Sequence, residues 1–221
     1  MDFIAQARKA AAAAMQSASN AMEREAIEVE GQMCVGRSFV QCFLCNNLCM
    51  YKVVRKLGEG GFAFVFLVED AQAKRYALKK MLCADADKVA LAEKEIKVSK
   101  MLQQEGRHPN IVYLTASARR STERGTEILM LMEFCPGALS SVIEDGDLAD
   151  DSILPLFRQI CAGVGVMHRC NPPLAHRDIK AENVLRGADG VWKVCDFGSA
   201  TTRSKAYVHK AFAHPNELIC L

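Results

Sequence analysis

The sequence predicts an α+β fold, with a strand-rich first part and a helical second part. Three observations predict it. Segments rich in β-branched and aromatic residues follow one another over 51–82, separated by glycines and a short polar turn. Residues 128–134, ILMLMEF, form a continuous apolar run that suits a buried strand or a stretch beside a ligand. Apolar residues recur at helical spacing over 86–104 and again over 150–167. Composition agrees with a packed chain: 50% of the 221 residues are apolar and 24% are charged. The net charge of +2 provides no broad field for nucleic acid or an anionic membrane. No run of 18 apolar residues occurs, so no transmembrane helix is expected. The opening MDFIAQARKAAAAAM lacks a compact apolar stretch behind a basic start, so no secretory signal is expected. The ten cysteines are therefore expected to be reduced thiols of a cytoplasmic protein rather than a disulfide framework.

Residues 1–30 read as an Ala-rich helical extension, with high propensity from Ala10 to Met15 and charges at Glu23, Arg24 and Glu25. It is either a solvated helix or a partner-binding one, and Gly31 marks its end. Residues 31–50 are atypical and hold Cys34, Cys42, Cys45 and Cys49. Cys42 and Cys45 have the spacing of half a zinc knuckle, but no second pair follows at finger spacing. An edge strand with cysteines as small apolar residues is one alternative, and an insertion foreign to the fold is another. Strands are expected at YKVVRKL, FAFVFLVED and KRYALKKML, with Gly58, Gly60 and Gly61 in the first turn and Ala71–Lys74 in the second. Asp150 or Ser152 would cap the later helix, with Ile153, Leu156, Phe157, Ile160, Val164 and Met167 on its apolar face. Two short strand-like pieces follow, at 183–187 and 191–197.

Four groups of residues carry chemistry. Leu57-Gly58-Glu59-Gly60-Gly61-Phe62-Ala63-Phe64-Val65 lies between two strands. Glycines there allow backbone N–H groups to approach phosphate oxygens, although a plain hairpin turn uses glycines too. A dinucleotide fold would need a helix after this loop. In Tyr76-Ala77-Leu78-Lys79, the small Ala77 and the Lys79 ammonium share a strand face. Glu95 falls within a stripe of Leu91, Val98 and Leu102, where a carboxylate is costly unless paired, and Lys79 is its natural partner. Last come His176-Arg177-Asp178-Ile179-Lys180-Ala181-Glu182-Asn183 and Asp196-Phe197-Gly198. Phosphoryl transfer needs a carboxylate for the hydroxyl proton, a cation near the γ-phosphate and oxygen ligands for Mg²⁺. Asp178, Lys180, Asn183 and Asp196 supply them in that order.

These motifs, in this order, resemble those of eukaryotic protein kinases. The resemblance covers Tyr51 to Thr201 and implies a bilobal kinase-like fold. That fold would have a complete β-rich N-lobe (51–134) and the first part of a helical C-lobe (135–202). Within that superfamily the chain resembles the Numb-associated kinases, which include the adaptor-associated and cyclin-G-associated kinases. The residues that carry this are Glu59-Gly60-Gly61-Phe62-Ala63, Leu131-Met132-Glu133-Phe134-Cys135 and Cys195-Asp196-Phe197-Gly198-Ser199-Ala200-Thr201. The resemblance implies ATP and Mg²⁺. The loop Leu57, Gly58, Glu59, Gly60, Gly61 and Phe62 would cover the ATP. Val65, Ala77 and Leu185 would sandwich the adenine, with Met132 as gatekeeper and backbone groups of Glu133 and Cys135 at the purine edge. Lys79, positioned by Glu95, would hold the α- and β-phosphates. Asp178 would be the catalytic base, Lys180 a γ-phosphate contact, and Asn183 and Asp196 metal ligands. His176 and Phe197 would stack, and Arg177 would receive a phosphate from the activation segment. The implied substrates are clathrin-adaptor subunits, phosphorylated on Thr, with peripheral association at coated membranes.

Two stretches depart from the family pattern. After Thr202 the tail 203–221 does not match; Ala213-His214-Pro215-Asn216-Glu217-Leu218 only faintly resembles the expected A-P-E. The expectation is a domain truncated after Asp196-Phe197-Gly198, with apolar surface exposed at Ile160, Val164 and Met167. QCFLCNNLCM interrupts the entry strand, as a translated intron would. Ser99 stands where kinases usually place an apolar residue. Three functions compete: a Ser/Thr kinase, a non-catalytic nucleotide-binding or scaffold fragment, and a zinc-bearing adaptor using the crowded cysteines. The intact nucleotide-site set favours the first; the absent later helices favour the second.

Overall fold

The computed structural model describes residues 39–42, 49–60, 63–104, 106–123 and 125–202. The expected helix at 1–30, the cysteines Cys34 and Cys45, the loop residues Gly61 and Phe62, and the tail 203–221 lie outside the described residues. An antiparallel sheet of six strands forms the first layer, in the order β1-β2-β3-β4-β6-β5. Its strands are β1 (Phe39–Cys42), β2 (Cys49–Glu59), β3 (Ala63–Glu69), β4 (Arg75–Cys83), β5 (Leu114–Thr122) and β6 (Gly125–Glu133). Helix α1 (Ala86–Met101) joins β4 to β5. A second part holds β7 (Gly137–Ala138), α2 (Leu139–Glu144), α3 (Asp150–Arg169), β8 (Val184–Arg186) and β9 (Trp192–Val194). There β7, β8 and β9 form a three-stranded sheet. No helix among the described residues is long and apolar enough to cross a membrane.

The three expected strands become β2, β3 and β4. The segment before Tyr51 also joins the sheet: β1 pairs with β2, Phe39 opposite Lys52 and Cys42 opposite Cys49. β1 is the edge of the sheet, and residues 31–38 and 43–48 of this stretch lie outside the described residues. Register decides which side chains meet. Val65 lies opposite Lys79, Lys79 opposite Met130, and Gly58 opposite Val65. Directly opposed residues share a face, so Gly58, Val65, Lys79 and Met130 form one row across four strands. The other face buries Tyr51, Phe64, Phe66, Val68, Leu78, Leu129 and Leu131. β6 is covered on both sides, because Ile128 and Met130 pack with Met81, Cys83 and Ala92 in a separate cluster. That two-sided burial is why its sequence is a continuous apolar run instead of an alternation. Glu127, just before that run, is the buried charge of β6. It holds Lys80 at 2.9 Å and Arg120 at 2.6 Å, so its carboxylate is not left unpaired.

Helix α1 is capped by Asp85, whose side chain accepts from the Lys88 N–H at 2.9 Å. It ends at Met101, short of the expected Gln104. Its buried stripe is Ala92, Glu95, Val98 and Ser99, and Leu91 is 49% exposed. Of the expected stripe, Glu95, Val98 and Leu102 are buried as expected, while Leu91 is replaced by its neighbour Ala92. Small Ala92 faces Met81 and Cys83, which brings the helix close to the sheet. Ser99 is buried, and its hydroxyl donates to the Glu95 carbonyl at 2.9 Å. An apolar position can therefore carry a hydroxyl without an unpaired polar atom.

Helix α3 differs from expectation in two ways. Its N-cap is Ala149, with no side-chain cap; Asp150 and Asp151 instead lie in the first turn, where carboxylates suit the helix dipole. Leu156, Gly163 and Met167 are its buried residues, while Ile153 (47%) and Phe157 (60%) are exposed. Met167 is fully buried against Leu174, Val194 and Phe197. The exposed apolar surface of α3 thus lies at Ile153, Leu154 and Phe157, whereas of the expected residues Met167 is buried and Ile160 and Val164 are half-buried. Strand β5, strand β7 and helix α2 were not anticipated. β5 reads LTASARRST, with few β-branched or aromatic residues, because one of its faces is polar.

The segment between α1 and β5 is stitched to β9. Val112 N–H donates to Val194 C=O at 3.0 Å, Val194 N–H donates to Asn110 C=O at 2.9 Å, and the Asn110 amide donates to Trp192 C=O at 2.8 Å. Gly163 of α3 crosses here, and a Cβ at Gly163 would stand 2.5 Å from the Asn110 carbonyl. Because the obstacle is backbone, it cannot swing aside. Gly163→Ala is expected to lower unfolding stability by about 2 kcal/mol, read from urea denaturation midpoints; an unchanged midpoint would contradict this packing.

Candidate functional site

The candidate site lies where the six-stranded sheet, α1 and the two motif loops meet. β4 carries Lys79 and α1 carries Glu95. Lys79 Nζ lies 2.7 and 2.9 Å from the two Glu95 carboxylate oxygens, and 3.3 Å from Asp196 Oδ1. Glu95 is only 5% exposed, whereas the Asp196 side chain is open to solvent. Burial disfavours the Lys79 charge, but Glu95 and Asp196 outweigh it and hold its pKa above the ordinary lysine value. Three expected site residues from three elements are therefore brought together.

Around the catalytic-loop motif, Asn183 is buried and donates through Nδ2 to Asp178 C=O at 2.8 Å and Asp178 Oδ2 at 3.0 Å. Lys180 Nζ lies 3.4 Å from Asp178 Oδ2. The 3₁₀ turn Ala181–Asn183 sets this spacing, and Cys195 N–H donates to Asn183 C=O at 3.0 Å, tying the two motif loops together. Ala175 and Thr201 exchange two backbone bonds of 2.9 Å, which close the second loop against the first.

His176 is a second tie. Its Nε2 lies 3.0 Å from Cys195 C=O, and Asp178 N–H points at its Nδ1 at 3.3 Å. A carbonyl requires a donor and an N–H requires a lone pair, so the neutral ring protonated on Nε2 satisfies both. The ring meets Phe197 edge-on, with centroids 5.6 Å apart. The expected stacking is present as a T-shaped contact. Arg177 (φ 69°) and Asp196 (φ 61°) both occupy left-handed backbone. Such residues cost about 1 kcal/mol or more, and persist only where surrounding bonds over-determine them.

The remaining predicted residues lie on β2, β3, β4 and β6, in the linker after β6 and, for Leu185, on β8. Leu57, Gly58, Val65, Ala77, Met132, Cys135 and Leu185 are all partly buried, while their neighbours Phe64, Phe66, Leu78, Leu131 and Val184 are buried. Glu59 is exposed and pairs with Lys56 at 3.2 Å. Gly58 and Gly60 have no positive φ and no neighbour that a Cβ would crowd. The Glu133 N–H donates to Tyr113 C=O at 2.9 Å, so only its carbonyl is left for another partner. Burial, then the Glu133 charge, pushes the Cys135 thiol up to about 12; burial and Asp196 raise Cys195 as well. Both thiols are protonated and unreactive at neutral pH. Sequence reasoning missed Arg107, Tyr113 and Lys193, which converge on the Glu133 side chain. No motif marks them, since they are brought in by tertiary pairing. No cluster of three His, Cys, Asp or Glu side chains of metal-binding type occurs among the described residues.

Residues 51–215 match the family model of the protein kinase domain. The chain belongs to the protein kinase family. The kinase domain match begins at the Tyr51 expected from strand pattern and runs past Thr202, where the motif reading ended. Two probable serine/threonine-protein kinases of Dictyostelium discoideum are each 40% identical to it, over 156 and 160 residues. These alignments cover 67% and 68% of this chain, and 14% and 20% of those proteins. A serine/threonine-protein kinase of Schizosaccharomyces pombe is 37% identical over 153 residues, covering 67% of this chain and 16% of that protein. The chain thus spans well under a third of the length of these relatives.

Burial lowers the His176 pKa below the ordinary histidine value, against the opposing pull of Cys195 C=O and the nearby carboxylates. Unfolded chains take up this proton near pH 6.5, before the folded site with its lowered pKa does. The contribution to stability is therefore full above about pH 6.5 and is lost as pH falls below it. His176→Phe is expected to melt lower than wild type at pH 7.5, yet to lose less on going to pH 5.5. Equal losses in both proteins, followed by circular dichroism, would contradict the neutral ring.

Proposed function

We propose that this chain is a Ser/Thr protein kinase that transfers the γ-phosphate of ATP to a protein hydroxyl with Mg²⁺. The observation that carries this reading is Lys79 held between Glu95 and Asp196. A buried ammonium fixed by one carboxylate and shared with a second, exposed one is a poised phosphate ligand. Gly58 and Gly60 support the same reading, because nothing in their own conformation demands glycine, and a phosphate approaching the backbone does.

In this reading Asp178 accepts the proton of the attacking hydroxyl. The hydroxyl oxygen bonds to the γ-phosphorus as the bond to the β-bridging oxygen breaks, and Lys180 faces the transferring group. Asn183, which spends its amide N–H₂ on Asp178, keeps its Oδ1 for a cation beside the exposed Asp196 carboxylate. That sparse oxygen set fits Mg²⁺, which takes one or two protein oxygens with phosphate oxygens and water. Charge on the β- and γ-phosphate oxygens is what a bound Mg²⁺ would neutralise. Val65, Ala77, Leu185 and Met132 receive the adenine, and the Glu133 carbonyl and Cys135 backbone meet its edge. The domain takes in 51–202, divided near 134 and 135.

For the protein substrate, we carry over the resemblance of Glu59–Ala63, Leu131–Cys135 and Cys195–Thr201 to the Numb-associated kinases. It supports clathrin-adaptor subunits phosphorylated on Thr, by a cytoplasmic enzyme that visits coated membranes. The test uses the purified chain, radiolabelled ATP, an adaptor subunit and a generic Thr peptide. Asp178→Asn is expected to lose about 100-fold or more in turnover while binding ATP as wild type does. Undiminished transfer in that variant would overturn the assignment of Asp178, and a preference for the generic peptide would overturn the adaptor reading. Lys79→Met is expected to abolish turnover by misplacing the phosphates, since positioning supplies most of this catalysis; full activity in it would overturn the role of Lys79.

A further inference from the structure

Lys193 belongs to none of the motifs, yet it is among the few charged residues buried in this structure. It is 7% exposed on β9, and its ammonium donates to Glu133 Oε2 at 3.0 Å across 60 residues of sequence. Asp189 adds a second carboxylate at 3.6 Å. Gly187 keeps the lane for this side chain open, because a Cβ there would stand 2.8 Å from Lys193 Cε. On the other side, Glu133 is pinned twice to one residue. Its Oε1 accepts from Tyr113 N–H at 2.7 Å, and its own N–H donates to Tyr113 C=O at 2.9 Å. Arg107 covers the Tyr113 ring at 3.8 Å, with its guanidinium 3.8 Å from Glu133 Oε2.

The linker carboxylate is therefore the meeting point of three parts of the chain: the segment after α1, the linker itself, and β9. On β9, Lys193 pairs with Leu185 of β8, and directly opposed residues share a face. The cation that grips the linker thus stands beside the side chain proposed to lie under the adenine. We propose that Lys193 is a positioning residue for nucleotide binding: through the Glu133 carboxylate it holds the linker in place over Leu185, so that the linker's backbone groups meet the purine edge. This rests on the nucleotide site proposed above. A buried charge pair of this kind is sensitive to loss of one partner, because the other is left without compensation. Here the partner left behind is the linker itself, so the effect falls on ligand geometry as well as on stability.

The test is titration calorimetry on the full chain with two ligands, ATP and adenosine, the second reporting the ring site without phosphates. Lys193→Met is expected to weaken both by about tenfold, the loss of one charged hydrogen bond. Lys79→Met is expected to weaken ATP and spare adenosine. Glu133→Gln, which keeps the shape and the bond from Tyr113 N–H, is expected to weaken both ligands. The double variant Lys193→Met/Glu133→Gln is expected to be no worse than the weaker-binding single variant, since both remove one pair. Glu133→Gln alone carries the test if Lys193→Met does not fold. A lowered melting temperature with unchanged adenosine affinity would overturn the proposal and leave Lys193 a structural residue. Additive losses, or tighter binding in either single variant, would overturn it too. Failure of the wild-type chain to bind either ligand would instead remove the nucleotide site, and this inference with it.

Discussion

The Lys79 ammonium and the Glu95 carboxylate, 2.7 Å apart and largely shielded from water, constrain much of the rest of the structure. Neither charge is tolerable there without the other. The pair requires β4 and α1 to approach closely, and Ala92, small and buried against Met81 and Cys83, is the packing that permits it. It also requires a fixed helix rotation, because a shift of one residue would turn Glu95 toward solvent. Ser99 fits the same demand. It occupies the next turn of the buried stripe and closes its hydroxyl on the Glu95 carbonyl, so the helix keeps its tight contact.

From this pair the order spreads to the motif loops. Asp196 reaches Lys79 from a left-handed backbone. His176 then joins the Asp196 loop to the Asp178 loop by one bond in each direction, and Asn183 fixes the Asp178 carboxylate. Two strained residues, Arg177 and Asp196, are held by this web of short polar bonds. All the described buried side-chain nitrogens and oxygens have hydrogen-bond partners, so the strain is carried without orphaned polar atoms. The bonds between 110–112 and β9 extend the web across the molecule to the linker.

Some elements were legible in the sequence for simple reasons. β2, β3 and β4 alternate around turns, and the Glu95 position stands out as a charge inside an apolar stripe. The motif residues were legible because their chemistry needs particular atoms at short spacing. The errors also have common physical causes. The stripe of α1 was drawn through Leu91 because leucine reads as core, but a small residue at 92 faces the sheet instead. The face of α3 was drawn through Ile153 and Phe157 for the same reason, while Gly163, with no apolar side chain to count, makes the closest approach. β5 went unread because its polar face dilutes the strand pattern.

What the sequence determined by itself was the α+β class, the strands around the glycine-rich turn and the identity of each motif residue. These depend on local pattern or on a required functional group. Tertiary structure alone decided the rotation of α1 and α3, the tautomer of His176, and the convergence of Lys193, Tyr113 and Arg107 on Glu133. Each depends on which atoms meet across many residues of chain. Burial turns those meetings into constraints, since a charge or an N–H removed from water must find its partner wherever the fold brings one.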